Sequence, residues 1–227
     1  MDAPLILGFD TSAAHCAAAL RSGDRLLLSR SEEMGRGQAE RLMPLLEEML
    51  NAEAMGWTDL DALAVGVGPG NFTGIRISVS AARGLALALG IPAIGISSFE
   101  MLAAEVAPAP VQLFCLPAPR GEAYTQFFRD GRPAEAPRQI DPAAPPPDLT
   151  VPDSCHVIGA NAEQIASRLP GAGHIANPTG ITSLPDALTR AALNRLQAGG
   201  EAPAPTPLYV RSADAAPPRD APPVILP

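Results

Sequence analysis

Residues 66–77 read Gly66-Val67-Gly68-Pro69-Gly70-Asn71-Phe72-Thr73-Gly74-Ile75-Arg76-Ile77, and this stretch decides how the rest of the chain is parsed. Glycines and a proline this dense fit no regular element. The apolar run before it, Asp61 to Val67, reads as a buried strand. The run after it, from about Ile75 to Leu89, reads as a helix that stops at Gly90 with Pro92 behind it. A strand, a glycine-rich joint and a helix start bring backbone N–H groups to one point, which suits an anion. No lysine follows Gly74, so the joint is not a Walker A loop. Asn71 stands where a dinucleotide fingerprint needs its third glycine. The other reading is a tight strand-to-helix turn with Asn71 or Thr73 as N-cap.

Upstream, Leu5 to Phe9 is an apolar run ending at Asp10-Thr11-Ser12. His15 to Leu20, the turn Ser22-Gly23-Asp24 and Arg25 to Ser29 follow, so the opening reads as a three-stranded meander. A carboxylate and two hydroxyls at a strand end either hold a metal-phosphate or its water, or cap their own turn. Asp10, Thr11, Ser12, Gly68, Gly70, Asn71 and Thr73 are therefore weak nucleotide-binding candidates, none of them firm. Residues 38–54 read as a helix that Pro44 should kink or delay. Leu42, Met43, Leu45, Leu46, Met49 and Leu50 fill an arc of about 160°, against the roughly 100° that one core requires. The helix at 75–89 has two apolar faces: Ile75, Val79, Ala82, Ala86 and Leu89 on one, Ile77, Ala81, Gly84 and Ala88 on the other. Arg76, Ser80 and Arg83 form its polar side. Ala93 to Ile96 adds a strand and Ser98 to Glu105 a helix, so the first 104 residues read β-β-β-α-β-α-β-α.

Val111 to Leu116 and Ala123 to Phe128 open a second strand set. Residues 132–153 hold seven prolines without periodicity and read as a loop. His156 to Gly159, Asn161 to Leu169 and Leu184 to Ala198 suggest a strand and two helices. Eight prolines from Glu201 onward suggest an extended tail. The expected division is a first lobe at 1–104, a second at 105–200 containing the proline-rich loop, and a tail at 201–227.

The 227 residues are 47% hydrophobic but only 4% aromatic, and the net charge is −8. Stand-alone nucleic-acid binding is disfavoured, because phosphate neutralisation needs clustered cations. Cys16, Cys115 and Cys155 are too scattered for a disulfide framework or zinc ribbon. His15, His156 and His174 give no metal-binding pair spacing. The start of the sequence lacks a basic signal-peptide region, and no apolar run approaches the ~18 residues of a spanning segment. A soluble, cytoplasmic protein without a membrane partner is expected.

Gly68-Pro69-Gly70-Asn71-Phe72-Thr73-Gly74-Ile75-Arg76-Ile77, with the opening Gly8-Phe9-Asp10-Thr11-Ser12, closely resembles the bacterial TsaB (YeaZ) family pattern. Leu42-Met43-Pro44, Arg120-Gly121-Glu122-Ala123-Tyr124 and Pro207-Leu208-Tyr209-Val210-Arg211 extend the resemblance along the chain. Gln38 replaces the family's usual histidine, and Pro117-Ala118-Pro119 replaces an Asp-Ala before the Arg-Gly-Glu.

The resemblance implies the actin-like ATPase fold (that of sugar kinases and heat-shock ATPases), as two α/β lobes each with a mixed sheet flanked by helices. It implies a scaffold subunit working with a TsaD-like catalytic subunit and a TsaE-like ATPase. That complex moves a threonylcarbamoyl group from its adenylate to N6 of adenosine 37 in tRNAs reading A-starting codons. Contact with tRNA is then indirect, and the chain alone is expected to form a homodimer. The catalytic paralog carries a metal-binding His-x-x-x-His after the matching strand, where this chain has Ser98 and Leu102. A hydroxyl and an aliphatic side chain cannot replace two imidazoles. The expectation is no catalytic residue, no metal and no cofactor, with a nucleotide only within the complex. An autonomous ATP-dependent phosphotransferase of the same fold is the alternative, and a metallopeptidase is disfavoured by the absent histidines. The surplus apolar area assigns the partner interface to Leu42, Met43, Leu46, Met49, Leu50, Ile77, Ala81, Gly84 and Ala88.

Overall fold

The computed structural model describes residues 3–176, 183–199 and 203–210. Its first sheet contains β1 (Leu5–Asp10), β2 (His15–Ser22), β3 (Arg25–Glu33), β4 (Ala62–Gly66) and β5 (Ala93–Ile96), in the order β3-β2-β1-β4-β5. The first three strands are antiparallel, while β4 and β5 run parallel to β1. Between them lie α1 (Gln38–Ala52) and α2 (Phe72–Leu89), and α3 (Ser98–Ala103) follows β5. The second sheet contains β6 (Val111–Pro117), β7 (Ala123–Arg129), β8 (Arg132–Pro133), β9 (Arg138–Ile140), β10 (Cys155–Gly159) and β11 (Ala172–Ala176). Its order is β11-β10-β6-β7-β8, with β9 also on β7. An antiparallel β6–β7 hairpin and parallel β10 and β11 repeat the plan of the first sheet. Two copies of one α/β plan are the two lobes of the actin-like arrangement. Only a five-residue helix, α4 (Ala162–Ala166), joins β10 to β11, where α2 joins β4 to β5.

Alternation sorts the first sheet's side chains onto two faces. Leu5, Leu7, Phe9, Leu63 and Val65 join α1 and α2 in one core, while Ile6, Ala62, Ala64, Ile94 and Ile96 face the other way. That second face is covered by α5 (Leu184–Gln197), through Ala187, Leu188, Ala192 and Leu193. The expected range 105–200 grouped this helix with the second lobe. Its contacts run instead to β1, β2, β4 and β5, because the first sheet's exposed face of small and branched residues needs a cover. Arg21 on β2 anchors it: the residue is 4% exposed, and its guanidinium pairs with Asp186 and donates to Thr189 Oγ1 at 3.1 Å. The lobes are joined where α3 packs Phe99 and Leu102 against Phe114, Phe128 and Ile158.

Two expectations need correction. Pro44 does not interrupt α1, which runs continuously; Pro44 and Glu40 are both exposed, so water can satisfy the freed carbonyl. The proline-rich stretch 132–153 contains two short strands paired to β7, and Leu149 is buried in the second lobe's core. Residues 203–210, in the part expected to be an extended tail, return to the first lobe, where Leu208 N–H donates to Val67 O at 2.8 Å and Leu208 joins the core. Residues 211–227, Arg211 included, and the His174 side chain lie outside the described residues. Among the described residues, α2 is the helix long and apolar enough, by length and composition, to cross a membrane; Arg76 and Arg83 interrupt it, and its inner face packs on β4.

The three cysteines are buried and free. Burial pushes the Cys16 and Cys155 thiols up to about 11, and raises Cys115 as well. The thiolate is the reactive form. A disulfide-exchange reagent at pH 8 is therefore expected to leave all three thiols untouched until denaturant is added, and rapid labelling of the native chain would contradict this.

Candidate functional site

The turn after β1 and the start of α2 are pressed together. Asp10 is 1% exposed. Its Oδ1 accepts from the Ser12 N–H at 2.9 Å and the Ser12 hydroxyl at 2.8 Å, and lies 2.7 Å from His15 Nε2. Its Oδ2 is buried without a hydrogen-bond partner. The Thr11 hydroxyl donates to Gly74 O at 2.7 Å, and Asn71 N–H donates to Ser12 O at 2.5 Å. At the helix start, Asn71 Oδ1 accepts from Gly74 N–H at 2.9 Å, so Asn71 is the N-cap and α2 begins at Phe72. Thr73 is exposed and Gly68 adopts a left-handed backbone.

The glycines serve this approach. A Cβ on Gly74 would lie 1.9 Å from Thr11 O, and one on Gly70 would lie 2.4 Å from Ser12 O. The space that side chains would fill holds the chain's own backbone. Of the seven candidates, Asp10, Thr11, Ser12, Gly70 and Asn71 meet at this junction, with Gly74 beside them, whereas Thr73 is turned to solvent. The groups that a nucleotide phosphate would use are already spent. Both hydroxyls donate internally, the helix start is capped, and no arginine donates to the junction among the described residues. One free carboxylate oxygen adds negative charge rather than a phosphate grip. The residues present therefore do not fit a triphosphate here.

Ser98 and Leu102 sit on α3, with Ser98 N–H donating to Gly68 O at 2.9 Å and Leu102 buried in the inter-lobe core. Gln38 begins α1 and donates to Met34 O at 3.1 Å. Arg120 sits at the tip of the β6–β7 hairpin with φ 63° and is exposed.

The assigned partner surface divides in two. Leu42, Leu46, Met49 and Leu50 are at most 2% exposed and belong to the first lobe's own core, with Met43 half-buried beside them. The wide apolar arc of α1 is consumed by touching both β2 and α2, so those four buried residues are not available to a partner in this fold. On α2, Ile77 and Ala81 are half-buried, Gly84 and Ala88 are exposed, and Leu87 is 87% exposed. Sequence reasoning missed Leu87, Phe72 and Tyr209, each of which is large, apolar and exposed.

Residues 31–135 match the family model described as TsaD: tRNA N6-adenosine threonylcarbamoyltransferase. The tRNA threonylcarbamoyladenosine biosynthesis protein TsaB of Escherichia coli K12 is 38% identical over 98 residues, 43% of this chain and 42% of that protein. The protein of the same name from Bacillus subtilis 168 is 33% identical over 131 residues, 55% of each chain. These matches span about half the length of the curated relatives. The solved structure of YeaZ from Pseudomonas aeruginosa superposes with a TM-score of 0.68 at 27% identity, over 91% of this chain and 99% of that one. The strand–glycine–helix motif lies within the matched stretch, and the two-lobe plan carries the likeness across the remainder: the chain is similar to the TsaB (YeaZ) proteins over both of its lobes.

Proposed function

We propose that this chain is the scaffold subunit of a cytoplasmic complex that transfers threonylcarbamoyl from threonylcarbamoyl-AMP to N6 of adenosine 37 in tRNAs reading A-starting codons. It is non-catalytic by itself. It holds a TsaD-like catalytic subunit, works with a TsaE-like ATPase, meets tRNA only through the assembly, and pairs with itself when alone. The names of the relatives supply the reaction class. The observation that carries the scaffold role is the uncovered outer face of α2, where Leu87 is 87% exposed beside Ala88 and Gly84. A soluble chain does not leave such a contiguous apolar strip without a use for it. The internally spent phosphate candidates and the buried Leu102 support a non-catalytic role.

Ala88→Glu, at an exposed position, is expected to leave the monomer folded and to weaken binding to the TsaD-like subunit of the same cell at least about a hundredfold, since an uncompensated charge at a desolvated contact costs several kcal/mol. Ala81→Glu is expected to do the same. Analytical ultracentrifugation should show both variants losing the homodimer too, because a two-fold contact repeats the substitution on each side. Folded variants that bind with wild-type affinity would place the interface elsewhere.

A further inference from the structure

We propose that Phe72, Arg76 and Tyr209 form a preorganised anchor at the start of α2 that takes a carboxylate from an acidic, partly apolar helix of the partner subunit; this rests on the scaffold reading above. Phe72 and Tyr209 are each 42% exposed, with ring centroids 5.0 Å apart. The Arg76 guanidinium lies 3.6 Å from the Phe72 ring centroid, and its Nε–H donates to Tyr209 Oη at 2.8 Å. Stacking and this bond fix the plane of a side chain that is otherwise among the most mobile. Tyr209 is itself fixed, because the neighbouring Leu208 is tied to Val67 and the core.

The cluster is rich in donors and, among the described residues, has no acid to satisfy them. Among the described residues, Arg76 Nη1 and Nη2 make no hydrogen bond. The Tyr209 oxygen accepts from Arg76, which leaves its own proton to give. The helix sequence, Phe72 to Leu89, contains two arginines and no acidic residue. At 100° per residue Phe72, Arg76, Ser80, Arg83 and Leu87 share an arc of about 80°. A complementary surface presents carboxylates to Arg76 and Arg83 and apolar groups to Leu87 and Phe72. An RNA backbone would satisfy the arginines but leave Leu87 uncovered, so the geometry favours a protein. Planar bidentate capture of a carboxylate is what a stacked guanidinium does better than an ammonium.

The test is calorimetric titration of the full chain with the TsaD-like subunit of the same cell, at low and high salt. Arg76→Ala is expected to weaken binding at least about tenfold, as buried arginine and tyrosine anchors usually do. Arg76→Lys should recover less than half of that loss, and Tyr209→Phe should cost about threefold by releasing the guanidinium. Melting temperatures of the free variants should stay near wild type, since the three side chains are exposed. If the wild-type chain does not bind the subunit, the scaffold reading fails and this inference with it. If wild type binds and Ala88→Glu does not, yet Arg76→Ala and Arg76→Lys bind as wild type, the anchor is refuted and the scaffold stands. Unchanged subunit affinity with weakened tRNA binding by the assembled complex would reassign Arg76 to RNA.

Discussion

Replacing Gly74 with alanine is expected to lower the thermal midpoint of the free chain by roughly 10 °C, or to prevent folding, because backbone overpacking of this kind costs about 3 kcal/mol or more. The new Cβ would sit 1.9 Å from Thr11 O, and that carbonyl belongs to a turn held from both sides. Thr11 also donates to Gly74 O, so the two segments cannot separate without losing that bond. Relief requires the start of α2 to move off the end of β1, which would displace Phe72 and Arg76. Gly84→Ala is the control on the same helix. Its Cβ would meet nothing within 4 Å, and it should stabilise the chain by about 0.5–1 kcal/mol through helix propensity alone. Thermal unfolding followed by circular dichroism distinguishes the pair. Equal midpoints for Gly74→Ala and wild type would mean that the close approach of turn and helix is not required.

Asp186→Ala is the second large effect, expected to cost about 3–5 kcal/mol, because it strands a buried guanidinium without its carboxylate. Arg21 would keep its bonds to Thr189 Oγ1 and to the Asp24 carbonyl at 2.9 Å, but no countercharge would remain within the pair. Replacing both partners, Arg21→Met with Asp186→Leu, should recover most of the loss, since a well-packed apolar pair is often as stable as a buried ion pair. Urea denaturation midpoints measure both. An Asp186→Ala chain as stable as wild type would show that α5 is held by its apolar face alone.

Most of the first lobe was legible because its signals are local. Short runs of apolar and branched residues mark β1 and β5, and the apolar period after the glycines marks α2, although its start reads as Ile75 and lies at Phe72. The second lobe was harder to read. The β11 sequence Ala172-Gly173-His174-Ile175-Ala176 has little strand character, and β8 and β9 sit among prolines that suggest loop. The α1 arc was read as surplus because a single chain does not reveal how many elements a helix must touch. The candidate anchor was illegible for a different reason: Arg76 and Tyr209 are 133 positions apart, and no periodicity links them. Each half stood in a motif that had been noticed, but their contact depends on residues 203–210 crossing back to the first lobe.

The return of α5 and residues 203–210 to the first sheet sets an order of assembly on the ribosome. The sheet's strands are complete once β5 has emerged, yet the face formed by Ile6, Ala62, Ala64, Ile94 and Ile96 has no cover until residues 184–197 follow. At bacterial elongation rates of about 5–20 residues per second, the interval spent making the second lobe is roughly 5–20 s. During that time a nascent first lobe presents a water-facing apolar sheet, a surface that chaperones bind and that promotes aggregation. The second lobe is thus an insertion in time as well as in space, and stalling translation between β6 and α5 should yield a chain that holdase chaperones capture until α5 is made.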